Sequence, residues 1–224
     1  MRGRSFLFVT GVLLAFAEAQ AQPTPPLIAK AKTPASRAAT TAIEVHGTIP
    51  ESLVGTWLAI NNFKKGKDTR YLNKFHIYRF SHKGDTWHMD ELLGTPPPEL
   101  LKSLAAADGP GRQYVVDEAT LKAVKAALPQ FTAKPEAETW SKTIWRSADQ
   151  FPKNFAPQSQ GAKVSIEFID VSVAGTVAGG GAFYLKDITD SKITGDGTAS
   201  GLVNTGIAVV PFDINGPLTL LRLQ

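Results

Sequence analysis

"HIYRFSHKGDTWHMDEL", residues 76–92, is the stretch that decides the fold. Apolar and polar residues alternate on both sides of Lys83-Gly84, which is the period-two signature of two half-buried strands joined by a tight turn. With Lys83-Gly84 as the turn, His82 opposes Asp85, Phe80 opposes Trp87, Tyr78 opposes Met89 and His76 opposes Glu91. One face then carries His76, Tyr78, Phe80, Trp87, Met89 and Glu91, and the other carries Ile77, Arg79, His88 and Asp90. The first face is the more apolar, so it is expected to look inward. A bulged turn shifts the pairing by one, setting His76 against Asp90 and His88 against Tyr78.

The six-residue spacing of His76, His82 and His88 invites a metal site. Strand geometry rejects it. Six residues along a strand span about 20 Å, whereas zinc ligands converge to about 2.1 Å, and His88 sits on the opposite face. What survives is an inward His76 opposed by Glu91 or Asp90, with Tyr78 next along the face. Such a group can serve as a general acid/base or orient a polar ligand head. The plain alternative is a hydrogen-bonded pair near the rim that satisfies only itself.

Outward from the hairpin the alternation continues. Strands are predicted over 42–48, 56–62, 74–81, 86–93, 140–146, 163–177, 182–188, 201–210 and 218–223, with turns at 179–181, 195–197 and 215–217. Two helical segments interrupt them near 96–130: one opens on Pro96-Pro97-Pro98, the other on Asp117 as N-cap, with Leu121, Val124 and Leu128 along one face. Consecutive strands must dispose of their edges, and an antiparallel up-and-down β-barrel does so by closing. A β-sandwich is the alternative.

Residues 1–21 read as a signal peptide, with Arg2 and Arg4 ahead of an apolar run and Ala19-Gln20-Ala21 as a small-residue cleavage site. Export to the periplasm or the exterior is therefore expected. Residues 22–41, rich in Pro, Ala and Thr, read as a flexible leader, and 42–224 as one β-barrel domain. The chain has no cysteine, which excludes disulfides, thiolate ligands and cysteine nucleophiles. Without residues 1–21, which hold two Arg and one Glu, the formal charge falls from +4 to +3. So small an excess argues against nucleic acid as a partner.

"IPESLVGTWLAI", residues 49–60, with Gly55-Thr56-Trp57, and "LTLLRL", with Arg222, together resemble the first and last strands of the lipocalin and calycin β-barrels. The resemblance implies a lipocalin-like barrel in which Arg222 packs across the Trp57 indole, a structural cation–π contact between first and last strands. No ligand is carried over from it.

Three functional readings follow. In the first, the barrel binds a small apolar or amphipathic molecule, neutral or anionic, against Tyr78, Phe80, Trp87 and Met89, and the helical insertion forms a lid. The basic run 61–74 brings Lys64, Lys65 and Arg70 to the mouth, where they suit an anionic head group or an anionic membrane surface. This reading requires an enclosed cavity. In the second, the chain is a non-catalytic interaction module. In the third, it is a lyase, isomerase or cyclase working through His76, Tyr78 and Glu91. The glycine-rich pieces 177–183 and 194–201 open no helix, so no phosphate loop is read, and no cofactor or metal is implied. A calcium site at Asp187, Asp190 and Asp196 is conceivable by composition, without EF-hand spacing.

Overall fold

A computed structural model describes residues 42–65, 70–107, 109–110, 112–134, 142–171, 178–204 and 209–224. Residues 1–41, read from sequence as signal peptide and leader, lie outside the described residues, as does Trp140. The strands are β1 (Ala42–His46), β2 (Gly55–Lys65), β3 (Arg70–Lys83), β4 (Thr86–Leu93), β5 (Gly109–Pro110), β6 (Thr132–Ala133), β7 (Lys142–Ser147), β8 (Val164–Val171), β9 (Ala178–Ile188), β10 (Lys192–Asn204) and β11 (Val209–Arg222). The helices are α1 (Pro98–Ala107) and α2 (Glu118–Ala127).

Ten strands form one curled, half-barrel sheet in the order β1-β7-β8-β9-β10-β11-β2-β3-β4-β6, with β5 beside β3. It is a single sheet, not the two facing sheets of a sandwich. From β7 to β11, and on through β2 to β4, neighbours run antiparallel, as an up-and-down barrel requires. β1 departs from this: it pairs with β7 in parallel, setting Val45 beside Trp145. The place beside β2 is already taken by β11, so β1 attaches at the far end of the sheet. The curl brings Cα atoms of β1 and β4 within 8 Å, with no ladder recorded between them. A seam therefore runs along one side.

The deciding hairpin has its turn one residue later than expected. Lys83 pairs with Thr86, Phe80 with Met89 and Tyr78 with Glu91, leaving Gly84-Asp85 as the two-residue turn. Gly84, at φ 58°, takes the first turn position, which the II′ type reserves for glycine. The register differs by two from the Lys83-Gly84 reading, and a shift of two leaves every side chain on its face. Tyr78, Phe80 and Trp87 accordingly lie in the inner core with Trp57, Trp145 and Phe183. Each such large side chain contributes roughly 1.5–3 kcal/mol through burial.

The glycine clusters are not turns. Gly179–Gly181 lie within β9, Gly195 and Gly197 within β10, and Gly216 within β11 opposite Gly197. A Cβ on Gly195 would collide with the Tyr184 carbonyl, and one on Gly216 with the Asn62 carbonyl. The sheet bends here and adjacent backbones press together, with a bulge at Thr194/Gly195. Pro217 also lies mid-strand, where the β11–β2 ladder skips Gly216 and Pro217, as the missing proline N–H demands.

β2 is apolar on both faces. Trp57 and Ala59 enter the inner core, while Leu58 and Ile60 meet Leu100, Leu104 and Val124 of the helices on the outer face. Asp117 caps α2 by accepting the Thr120 N–H at 2.7 Å. Asn62 fastens the insertion to the sheet, its Oδ1 accepting the Tyr114 N–H at 2.7 Å and its Nδ2 donating to the Tyr114 carbonyl at 3.4 Å. The helices thus cover the outer face of β2 and β3, and do not form the lid expected over the mouth.

Candidate functional site

On the inner face of β3 and β4, His76 Nδ1 lies 2.9 Å from Glu91 Oε1. The contact is diagonal, because the residue directly opposite Glu91 is Tyr78. Lys134 Nζ donates to the other carboxylate oxygen at 3.3 Å. The His76 hydrogen bond holds Glu91 below the usual carboxylate range despite burial, and Lys134 adds to the effect. An ionised carboxylate only accepts, so Nδ1 is the donor in this contact. The Tyr78 ring stacks on His76 at 5.5 Å, and burial, with the Glu91 charge, pushes the phenol well above its ordinary value. The structure therefore brings His76, Glu91 and Tyr78 together and adds Lys134, which sequence reasoning missed. Lys134 follows β6, and the pairing of β6 with β4 at Leu92–Ala133 carries it to Glu91.

The residues expected to line a ligand cavity are packed. Phe80 is 0% exposed, Tyr78 3% and Trp87 5%, and Met89 packs against the same cluster. At this level the interior is filled by its own side chains, as small barrels allow. Of the basic residues, Lys64 lies 4.3 Å over the Tyr71 ring. Lys65 and Arg70 belong to β2 and β3, and their side chains lie outside the described residues.

Arg222 pairs with Trp57 across the β11–β2 ladder and its guanidinium lies 4.2 Å over the indole. The same group donates to the carbonyls of Val54 at 2.7 Å, Ser52 at 2.6 Å and Asp190. Gly55 stands at φ 141°, and a Cβ there would strike the guanidinium and come within 2.7 Å of the Gln224 carbonyl. Glycine two residues before the tryptophan therefore has a physical cause in this chain: it leaves room for Arg222.

Clefts lined by described residues lie in three places. One, about 650 Å³, sits between the end of α2 and the outer face of β3, lined by Val54, Arg79, Leu92, Lys125, Leu128, Pro129, Phe131 and Leu223. A second, about 520 Å³, follows the seam between β1 and β4 and includes Ile43, Val45, Ile49, Glu51, His82 and Trp87. The third, also about 520 Å³, lies over Gly179–Gly181 and Phe168. His76 and Glu91 line none of these three. The carboxylates once grouped by composition are separated by their partners: Asp187 accepts from Thr194, and Asp196 pairs with Lys186 at 2.7 Å. Among the described residues no group of three or more His, Asp or Glu converges on one point.

Comparison of the chain with protein-family models, curated proteins and solved structures returns no match. The likeness to lipocalins accordingly rests on the curled sheet, Gly55-Thr56-Trp57 and Arg222.

Proposed function

We propose that this chain is an exported, barrel-like protein that binds a small amphipathic molecule with an anionic head in the cleft beneath α2. The observation that carries the reading is the composition of that cleft. Leu92, Leu128, Pro129, Phe131 and Leu223 supply apolar surface, while Lys125 and Arg79 stand at its edge. Its volume of about 650 Å³ falls in the range typical of small-molecule sites. Arg79 is already engaged with Asp90 through Nε at 3.1 Å and Nη2 at 2.8 Å. Lys125 has no ion pair among the described residues, so it is the group available to a carboxylate or sulfate head. Export rests on residues 1–21 alone.

Dodecanoate titration followed by calorimetry, with native mass spectrometry of protein from its own host, tests this. Saturable binding that falls at least tenfold in Lys125→Glu supports the reading. Equal binding by the wild type and the variant, or none by either, removes it.

A second reading is favoured by the His76–Glu91 hydrogen bond. A carboxylate that fixes Nδ1–H and leaves Nε2 free is the arrangement of a general base, and it would suit proton abstraction in a lyase or isomerase. If that reading holds, His76→Gln, which can still donate to Glu91, abolishes turnover of a substrate while keeping the urea midpoint near that of the wild type.

A further inference from the structure

The second histidine of the hairpin carries an inference independent of the α2 cleft. His82 lies at the end of β3, on the same face as His76, Tyr78 and Phe80, where the seam between β1 and β4 opens. Its Nδ1 lies 3.0 Å from the Gly84 carbonyl and its Nε2 lies 2.9 Å from Glu51 Oε2. Both partners only accept, so a neutral ring, with one N–H, satisfies one of them; the imidazolium, with two, satisfies both. The ring also stacks on Trp87 at 4.9 Å, which places a cation over an indole face.

We propose that His82, in its imidazolium form, is a pH-sensitive latch that holds the Glu51 turn and the β3–β4 turn together over the seam cleft.

The contacts span three parts of the chain. Glu51 belongs to the 3-10 turn Glu51–Leu53 that leads into β2, Gly84 to the β3–β4 turn, and Trp87 to β4. The titratable groups facing the cleft are Glu51, His82 and Asp85, and Lys83 is the neighbour of His82 on its own strand. From β1 the cleft receives only Ile43 and Val45. Glu44 of β1 is turned to Lys142 at 2.6 Å and to His46 at 3.6 Å on the other face. Among the described residues no second cation lines the cleft, so the charge that Glu51 answers is that of His82. The Gly84 carbonyl first, and then Glu51, raise His82 above the usual histidine value. The sign follows: a group whose folded value is raised contributes fully below its unfolded value, near 6.5, and its contribution is lost as pH rises through the folded value. Acid closes the latch and base frees it, exposing the Ile43, Val45 and Trp87 walls of the cleft.

The absence of cysteine makes the test direct, since Val45→Cys in the full chain places a single thiol in the cleft. Its rate of N-ethylmaleimide modification is divided at each pH by that of Val45→Cys/Glu51→Ala, which shares the thiol and lacks the latch. The expected ratio is several-fold below one under about pH 6.5 and climbs to one above the folded value of His82. A ratio flat across pH overturns the proposal. A second arm needs no change in the core: the His82 ring titration is followed by NMR in the wild type and in Glu51→Ala. A midpoint above that of free histidine, moved downward in the variant, supports the latch, and an unmoved midpoint sinks it. Neither arm depends on any ligand of the α2 cleft.

Discussion

Replacing Arg222 by alanine is the perturbation whose size the structure defines best. The guanidinium donates to three backbone carbonyls, those of Ser52, Val54 and Asp190, and covers the indole of Trp57, which is 0% exposed. A hydrogen bond from a charged donor contributes roughly 1 kcal/mol or more net, and a partly desolvated cation–π contact roughly 0.5–1 kcal/mol. The bond to Asp190 is exposed and those to Val54 and Ser52 are only part-buried, so water can replace part of what is lost and the lower figures apply. Their sum is about 3–4 kcal/mol, a substantial part of the 5–15 kcal/mol that holds a typical domain. Arg222→Lys keeps the charge without the planar fork, so it should recover only part, leaving a loss of about 2 kcal/mol. Urea unfolding followed by tryptophan fluorescence reads both, as a fall in midpoint at constant slope. A loss under about 1 kcal/mol for Arg222→Ala, or an Arg222→Lys variant indistinguishable from wild type, would refute the structural role given to this contact.

Three further outcomes are expected. Asn62→Ala strands both backbone groups of Tyr114, which are bound by Asn62 in a buried site; about 2–3 kcal/mol should be lost, with faster hydrogen exchange at the Tyr114 amide and no matching change at Ile166 in the inner core. Gly195→Ala drives a Cβ into the Tyr184 carbonyl, and a loss above about 2 kcal/mol is expected, whereas an unchanged midpoint would mean the bend does not need glycine there. Glu91, held below the ordinary carboxylate value chiefly by His76, contributes stability that is complete above its unfolded value and lost as pH falls through the folded one. As pH falls from about 5 through the folded value, the wild type should therefore lose stability more steeply than Glu91→Gln, and parallel curves would argue against the pair.

The local pattern alone determined the strand-rich class, the two helices with Asp117 as cap, and which residues of 76–92 share a face. Alternation depends only on parity, so that reading survived a register moved by two. The register itself was settled by Gly84, whose positive φ suits the first turn position where sequence spacing favoured Lys83. Glycine was the other misleading signal: Gly195 and Gly216 read as turn punctuation, yet serve close backbone approach in a bent sheet, which no single strand records. The parallel seating of β1, the seam beside β4, the diagonal reach of His76 to Glu91 and the arrival of Lys134 at Glu91 and of Glu51 at His82 all join residues 15 to 43 positions apart or more. Propensity and periodicity act over a few residues; which distant strand takes the place beside β11 depends on how the whole sheet curls to bury Trp57, Trp145 and Phe183 together. That choice belongs to tertiary packing, and both histidine clusters inherit their geometry from it.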